Sequence, residues 1–541
     1  MGLFDSFRQR QVVNLDSPGA VARRNAIATA VEVARKPIQP TSSRNSLHRV
    51  GATAARMMFA SADVGRLTGD WPTNPVPADW VISRYQRTLV ARSREQAHNN
   101  DFMKAYLRLN RLNVVGPKGI TFHSQVVTGS GKPDMSVRRA IERWFTKWGH
   151  RSHCDVAGKL SWRAMQAACV EGAARDGEFF VRLIFGRDGG LYGCALQFID
   201  PQRCPVEMDR SDLADGAFIR QGIEFNRYGR PVAYYFADQS AERNSQSYTY
   251  SGRAYVRVPA DEVIHGFIAE LPGQKRGLPW MATGLFRAKQ ASAMEDAAVV
   301  NARMGAAKMG FIQFKEGAEG PEYDPDEGLE IDAEPGAFPV LPTGAELKDF
   351  SPQYPQGEFA PFIKQLLRGF SAGGGVAYHS ISQDLENVNF SSIRHGTLDE
   401  RETYKERQEW LREELCDRVF EAAFTRALLG GHVVTDKGRT LRADRIDDYM
   451  ERKWQPRRWQ WIDPRADVEA TETSKNNLLS SPSELIREQG KDPHEVWAEI
   501  GADVEAMRAA GIPDVVIAAS WGQKPAPTPA PAVEQKGNPK E

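Results

Sequence analysis

Between Pro279 and Met309 the chain carries nine alanines, set among Trp280, Met281, Leu285, Met294, Val299, Val300 and Met304. Alanine is the strongest helix former, and a leading proline suits a first helical turn. The window predicts one helix of about 30 residues, about 45 Å long. Its small side chains let another helix come close. They lack the bulk to finish a core within one chain, while the longer apolar residues leave too much surface to stay in water. Other helices packed closely along much of its length are the expected cover.

The segments on either side set the class. Asp79 to Arg111 reads as one helix ending near Val114-Val115-Gly116. Two more helices follow between 135 and 176, one with Trp144, Phe145 and Trp148, the other with Trp162, Met165, Ala168 and Cys169. The period then changes. Phe179–Phe185, Cys194–Ile199, Phe218–Phe225, Val232–Phe236, Tyr255–Val258 and Val263–Phe267 read as strands, with turns at Asp188-Gly189-Gly190, Asp200-Pro201 and Asn226–Gly229. Helices followed by an antiparallel sheet make an α+β domain. After the alanine-rich window, residues 316–357 are rich in proline and loops, with strands expected at Phe311–Phe314 and Phe338–Leu341. Phe359–Phe370 is amphipathic and stops at Gly373-Gly374-Gly375. Thr397-Leu398-Asp399-Glu400 has a capping-box pattern and predicts the start of a long helix, which Gly430-Gly431 closes. Its apolar stripe is Leu411, Leu415, Val419, Phe420, Phe424 and Leu428. Helices resume at Ser483–Gln489 and His494–Ala510, and from Lys524 a Pro-Ala repeat predicts an extended, disordered end.

Composition excludes several classes. Seventy Lys plus Arg balance seventy Asp plus Glu, which argues against a protein that lives by bulk positive charge on nucleic acid. Residues 1–60 are the local exception, with nine cations against three acids, and read as a flexible basic arm that can order on a partner. Met1–Ser6 also fits a myristoylation pattern, but one short enough to arise by chance. No apolar run reaches the length of a membrane span, and no secretory pattern opens the chain. Five cysteines, none in C-x-x-C, suit a reducing compartment.

No enzyme signature keeps its structural context. Gly369-Phe370-Ser371-Ala372-Gly373 spells G-x-S-x-G, and His379, His395 and Asp384 offer partners, which leaves a serine hydrolase centred on Ser371 as the alternative. That motif needs a strand before the serine, and an amphipathic helix stands there. Gly129-Ser130-Gly131-Lys132 fails as a P-loop at Val126 and Pro133 and reads as a surface turn. His150, His153 and Cys154 lack a fourth ligand at a regular spacing, and Asp463-Pro464-Arg465-Ala466-Asp467 reads as turn chemistry. Trp454, Trp459 and Trp461 among Arg452, Lys453, Arg457 and Arg458 suit core or interface anchors better than a grip on single-stranded nucleic acid. No catalytic residue, cofactor or metal is expected.

A series of short motifs, in order, resembles the lambda-type portal proteins of tailed bacteriophages. It runs from Asn99-Asn100 and Asn113–Gly116 through Asp176–Val181, Ile199–Arg203, His265-Gly266-Phe267 and Pro272–Met281 to Glu295-Asp296 and Ala302-Arg303. Leu367-Arg368, Ala372–Tyr378, Val388–Arg394 and Trp461–Pro464 with Asp467 and Ala470 complete it. One departure is Ser371 and Gly374, where the family writes closer to Ala-Ala-Gly-Leu-Gly.

The resemblance implies a homo-oligomeric ring, usually of twelve subunits, at one capsid vertex. Double-stranded viral DNA enters through its channel, driven by the terminase large subunit, and leaves the same way. The ring nucleates head assembly with major capsid and scaffolding proteins and docks head-tail connector proteins, in the virion and, during assembly, in the bacterial host cytoplasm. A phage scaffold without a channel is the other structural reading. Carried onto this chain, the resemblance implies a basic arm at 1–75, an α/β wing at 76–278, stem helices at 279–309 and 358–372 and a clip at 310–357. A tunnel-loop region follows at 373–392, a returning wing helix and connector at 393–475, a helical crown at 476–520 and the tail at 521–541. Gly373, Gly374 and Gly375 are a candidate hinge. Gln383, Asp384, Asn387 and Asn389 are candidate DNA-facing groups without lysine, and Arg394 is the nearest cation in the sequence; an ordinary surface loop is the alternative reading.

Overall fold

The computed structural model describes residues 66, 70, 72–238, 255–306, 310–314, 345–349, 359–386, 390–459, 464–488 and 493–520. The basic arm up to residue 65, the proposed strand Phe338–Leu341, Trp461, Asp463, Asn387, Asn389 and the proline-rich tail lie outside them. The elements below belong to one unit, Val76–Glu541.

The first helical stretch is two helices, α1 (Ala78–Asn99) and α2 (Asp101–Asn110), not one. Asn100 breaks it with an extended backbone, and its side chain accepts from the Met103 N–H at 2.9 Å as an N-cap. A π-helical turn, Arg111–Val115, ends the pair. Strand β1 (Thr121–Ser124) leads to α3 (Met135–Trp148), a one-turn helix at Arg151–Cys154, and α4 (Trp162–Asp176). The two expected helices between 135 and 176 are therefore α3 and α4, each capped by a side chain, Asp134 and Ser161.

The strand-rich region forms two antiparallel sheets rather than one. β2 (Glu178–Phe185) lies between β3 (Cys194–Ile199) and β8 (Val263–Phe267). The other sheet runs β4 (Phe218–Arg220), β5 (Ile223–Phe225), β6 (Pro231–Ala237), β7 (Tyr255–Pro259). The segment expected as a single strand, Phe218–Phe225, is a hairpin, because Gln221 and Gly222 both take positive φ (54° and 78°). Phe180, Ile199, Ile223, Phe225, Tyr234, Phe236 and Val258 form a small core in this region.

The alanine-rich helix, α5 (Leu285–Ala306), starts six residues later than expected. Pro279–Gly284 is a turn whose Trp280 and Met281 anchor into the body, Met281 fully buried. β9 (Gly310–Phe314) pairs with β10 (Ala345–Asp349), a partner that pattern reading missed. α6 (Phe359–Gly374) packs on α5 and α7 (Tyr378–Ser382) follows.

The long helix begins at Phe390, ahead of the supposed capping box. α8 (Phe390–Leu411) continues through a π turn (Arg412–Asp417) into α9 (Arg418–Leu429), which ends at Gly430-Gly431 as expected. Glu400 does not cap. It is buried and accepts from Ser380 Oγ at 2.7 Å and Tyr404 OH at 2.8 Å, so its carboxylate serves packing across elements. All six residues of the predicted apolar stripe are buried. β11 (Arg452–Gln455) pairs with β1, and the chain ends in α10 (Pro464–Asn476), α11 (Pro482–Glu488), α12 (Pro493–Ala509) and α13 (Asp514–Ser520). Pro464–Asp467 is the start of a helix rather than the expected turn, and Asp463 lies outside the described residues. The main core joins α3, α4 and α9 through Trp144, Phe145, Trp148, Trp162, Phe420 and Phe424, with Phe122 and Trp454 from the β1–β11 pair.

Candidate functional site

The predicted hinge glycines lie at the end of α6. Gly373 and Gly374 are helical, and Gly375 takes a left-handed φ of 65° just after it. A Cβ on Gly374 would sit 2.8 Å from both Met281 Cε and Tyr106 Cε2, and one on Gly373 3.0 Å from Thr283 Oγ1. These glycines let α6 lie close against the turn before α5 and against α2. Arg407 of α8 braces the same place, donating to the Gly374 carbonyl at 3.0 Å and to Asn110 Oδ1, with its guanidinium over the Trp280 ring.

Beyond the glycines, Gln383 is exposed, ends α7 with a φ of 58°, and donates to the Ser380 carbonyl at 3.3 Å. Asp384 accepts from Lys364 Nζ at 2.7 Å and from Tyr378 OH at 3.0 Å. The hydrogen bond from Lys364, then the Glu386 N–H and the Tyr378 hydroxyl, hold its carboxyl down at about 2. The segment itself has no lysine, as the sequence shows, but the fold brings a cation to it from outside. Lys364, a partner supplied by α6, sits directly on Asp384, and Arg394 stands half-buried on α8.

Three of the motifs that carried the family resemblance converge elsewhere, in one buried knot. Glu178 opens β2, His265 stands on β8, and Arg276 lies in the connector toward α5. All three are buried, Arg276 and Glu178 completely. Arg276 donates from Nε and Nη2 to Glu178 (2.9 and 2.6 Å) and from Nη1 to the carbonyls of Gln221 and Cys204 (2.8 and 3.1 Å). Gln86 Nε2 and the Gly277 N–H also donate to Glu178, each at 3.0 Å, and His265 Nε2 lies 3.0 Å away. The knot ties α1, both sheets and the connector into one piece. Next to it Arg94 clamps Asp176 and Asp200, which raises its pKa. The motifs taken one at a time give these charges no role. The available signal was a carboxylate directly before the apolar run Phe179-Phe180-Val181, a position where a charge must find a buried partner.

The knot makes stability depend on pH with a definite sign. Burial pushes the Glu178 carboxyl up, but the charge of Arg276 and the His265 hydrogen bond outweigh it and hold the group at about 2. Burial, helped by the charges of Arg276 and Arg418, lowers His265 against the pull of Glu178. A neutral His265 then carries its proton on Nε2 and donates it to Glu178. Both folded values lie below their unfolded ones, so both contributions are present above the unfolded values and fall away as acid is added. Unfolding by urea is expected to become easier below about pH 6.5 through His265, and again from about 4.5 toward 2 through Glu178. In His265→Gln the loss that sets in below about pH 6.5 should shrink while the lower one persists. An unchanged upper slope would assign it to other groups.

The remaining candidates take structural places. Ser371 is inside α6 with a buried Oγ that meets no hydrogen-bond partner among the described residues, and no strand precedes it. Gly129–Lys132 is a turn closed by the Thr128 N–H to the Lys132 carbonyl at 2.7 Å. Cys154 is buried and donates to the Gly149 and Leu160 carbonyls, and His150 contacts Ser152 Oγ. Trp454 packs on Phe122 and Phe420 and donates to Asp417, while Trp459 stacks on Tyr404 and donates to Asn113 Oδ1. Arg452 pairs with Asp417 and Glu421. These are the anchor roles expected of them. No described helix is long and apolar enough to cross a membrane.

Residues 64–408 match the family described as phage portal protein, lambda family. Over 486 residues, 88% of this chain and 90% of the relative, the chain is 32% identical to a probable portal protein of Halomonas phage phiHAP-1. It is 22% identical over 455 residues to portal protein B of Escherichia phage lambda, covering 78% of this chain and 84% of the relative. Among solved structures, a chain from the neck of a native GTA particle computed with C12 symmetry matches with a TM-score of 0.42 and 14% identity, over 75% of this chain and 94% of that one.

Proposed function

The chain belongs to the lambda family of phage portal proteins, and on that premise we propose that it forms a cyclic ring at one capsid vertex through which double-stranded DNA enters and leaves the head. The molecular observation that supports a ring is apolar surface left in water on the two long helices. Phe286 is 71% exposed, Val299 and Val300 50% and 52%, and Phe362 on α6 51%. A subunit surrounded by copies of itself covers such residues, and a lone subunit does not.

In this reading the ring is a conduit and a docking platform and not an enzyme. The motor's ATPase belongs to the terminase large subunit, and head-tail connector, capsid and scaffolding proteins are the other partners. The region to Leu278 acts as the wing, α5 and α6 as stem helices, 310–357 as the clip and the helices after residue 476 as the crown. Gly373–Ser392, with Gln383, Asp384, Asn387 and Asn389, is the segment proposed to meet passing DNA, together with Arg394 just beyond it. The Lys364–Asp384 pair supports that role by neutralising the charge that would otherwise repel phosphate there.

Electron microscopy and mass measurement in solution are expected to give rings with a central hole and a mass that is a large multiple of the subunit's. A single subunit at every concentration and salt would overturn the reading.

A further inference from the structure

A cleft of about 540 Å³ opens between α2 and α4, with Asp101, Lys104, Arg108, Arg111, Glu171 and Arg175 on its walls. Lys104, Arg108 and Arg111 follow at spacings of four and three, so they line one side of the α2 stretch. Arg111 reaches Glu171 at 3.3 Å, and Arg175 is held by Asp176 at 2.9 Å. Lys104 and Arg108 are exposed and make no ion pair among the described residues.

The opposite charge pattern stands on α8 and its π turn. Tyr404, Gln408 and Leu411 are buried on one face. Asp399, Glu402, Glu406, Glu409 and Glu413 recur every three or four residues on the other, and all are exposed. Lys405 sits with Glu402 at 2.6 Å, and Arg412 with Glu409 and Glu413 at 2.6 and 3.1 Å. Asp399 and Glu406 make no ion pair among the described residues. The inner side of α8 meets the end of α2 and its π turn, through Arg407 to Asn110 and Gln408 Nε2 to the Asn113 carbonyl at 2.9 Å. The acidic side faces away from these contacts, and none of its carboxylates pairs with the cleft of its own subunit.

We propose that the acidic outer face of α8 in one subunit docks in the α2–α4 cleft of the next copy, so that charge complementarity sets the register of the ring. This rests on the ring reading above. A closed ring joins two different patches of the same chain head to tail, and these two patches differ in the required sense. Their mixtures of charge mirror each other. The cleft has four Lys/Arg with two acids, and the helix face has five acids with Lys405 and Arg412. Double-stranded DNA, which brings negative charge alone, leaves Asp101 and Glu171 facing phosphate, whereas α8 offers them cations.

The test uses the four exposed, unpaired residues in the full chain. Lys104→Glu with Arg108→Glu, and separately Asp399→Lys with Glu406→Lys, should each raise the concentration at which rings fall apart by about tenfold or more, because two attractions at every joint become repulsions. Combining all four changes should restore rings to near the wild-type concentration. A misfolded double variant cannot produce that rescue. Rings of wild-type stability in both double variants, or no rescue in the combination, would overturn the proposal and leave the ring reading intact. So would a cleft variant that keeps its rings but loses retention of a double-stranded DNA fragment, since the cleft would then serve nucleic acid. A wild-type chain that never forms rings removes both readings.

Discussion

Arg276→Ala is expected to destabilise the folded subunit by about 3–5 kcal/mol, the range for removing one partner of a buried ion pair. The guanidinium is wholly buried. Its donors are shared among the Glu178 carboxylate and the carbonyls of Pro201, Cys204 and Gln221. Alanine leaves a carboxylate without its countercharge and takes a donor from three carbonyls at once. Arg276→Lys should recover little, because an ammonium cannot reproduce the planar fork that serves Glu178 and two backbone segments together. Glu178→Gln should cost nearly as much by the reverse route, leaving a buried cation. Arg276→Met combined with Glu178→Met should lose clearly less than the sum of the single changes, since no lone charge remains. Urea unfolding midpoints with unchanged slopes would read all four. A loss below about 1 kcal/mol for Arg276→Ala would mean that water reaches the site and solvates Glu178.

A comparable loss, about 3 kcal/mol or more, is expected from Gly277→Ala, for a reason of space rather than charge. Gly177 and Gly277 cross at backbone contact. A Cβ on Gly277 would stand 2.0 Å from the Gly177 carbonyl oxygen, and one on Gly177 2.3 Å from the Leu278 carbonyl carbon. Gly177 also holds a φ of 91°, which side chains rarely adopt. Neither segment can easily retreat, because Glu178 and Arg276, one residue away from the two glycines, are locked together. Gly229→Ala is the control. It has a φ of 79° with open space around it, so it should cost only the conformational term, about 1 kcal/mol. Equal thermal shifts for the two substitutions would show that the crossing relaxes freely.

How much of this could be read from the chain depended on the distance over which each signal acts. β3 and β8 were found residue for residue, and β2 within one, because alternation and Gly or Asp-Pro turns lie inside a few residues of each other. Helix α9 and its stop at Gly430-Gly431 were legible for the same reason. The break at Asn100 was not, since its cause is the fold around it: Asn100 caps α2 while donating to Ser292 Oγ on α5 at 2.8 Å. Glu400 imitated a capping residue because residue types at the right spacing do not reveal which partner a carboxylate finds. The family was legible from the order of short motifs, and the matched residues 64–408 include most of them. The purpose of those motifs was not, because Glu178, His265 and Arg276 meet only after two sheets have formed. Among the candidate residues, the Lys364–Asp384 contact was hidden by a separation of 20 in sequence.

The pairing of β1 with β11 has a consequence for how the subunit is made. Thr121 Oγ1 donates to the carbonyl of Gln455, across a separation of 334 residues. Trp454, which covers Phe122, arrives equally late. At roughly 5–20 residues per second, a ribosome needs roughly 20–70 s to deliver the closing strand after the first has emerged. Throughout that interval Phe122 and the aromatic residues of α3 wait without Phe420 and Trp454, and loop closure over such a span is slow and favours earlier, wrong contacts. The nascent chain thus carries uncovered aromatic surface through most of its synthesis. Completion of this core therefore falls to the last part of the chain to be made, and a subunit cut short before Arg452 is left with Phe122 uncovered by Trp454.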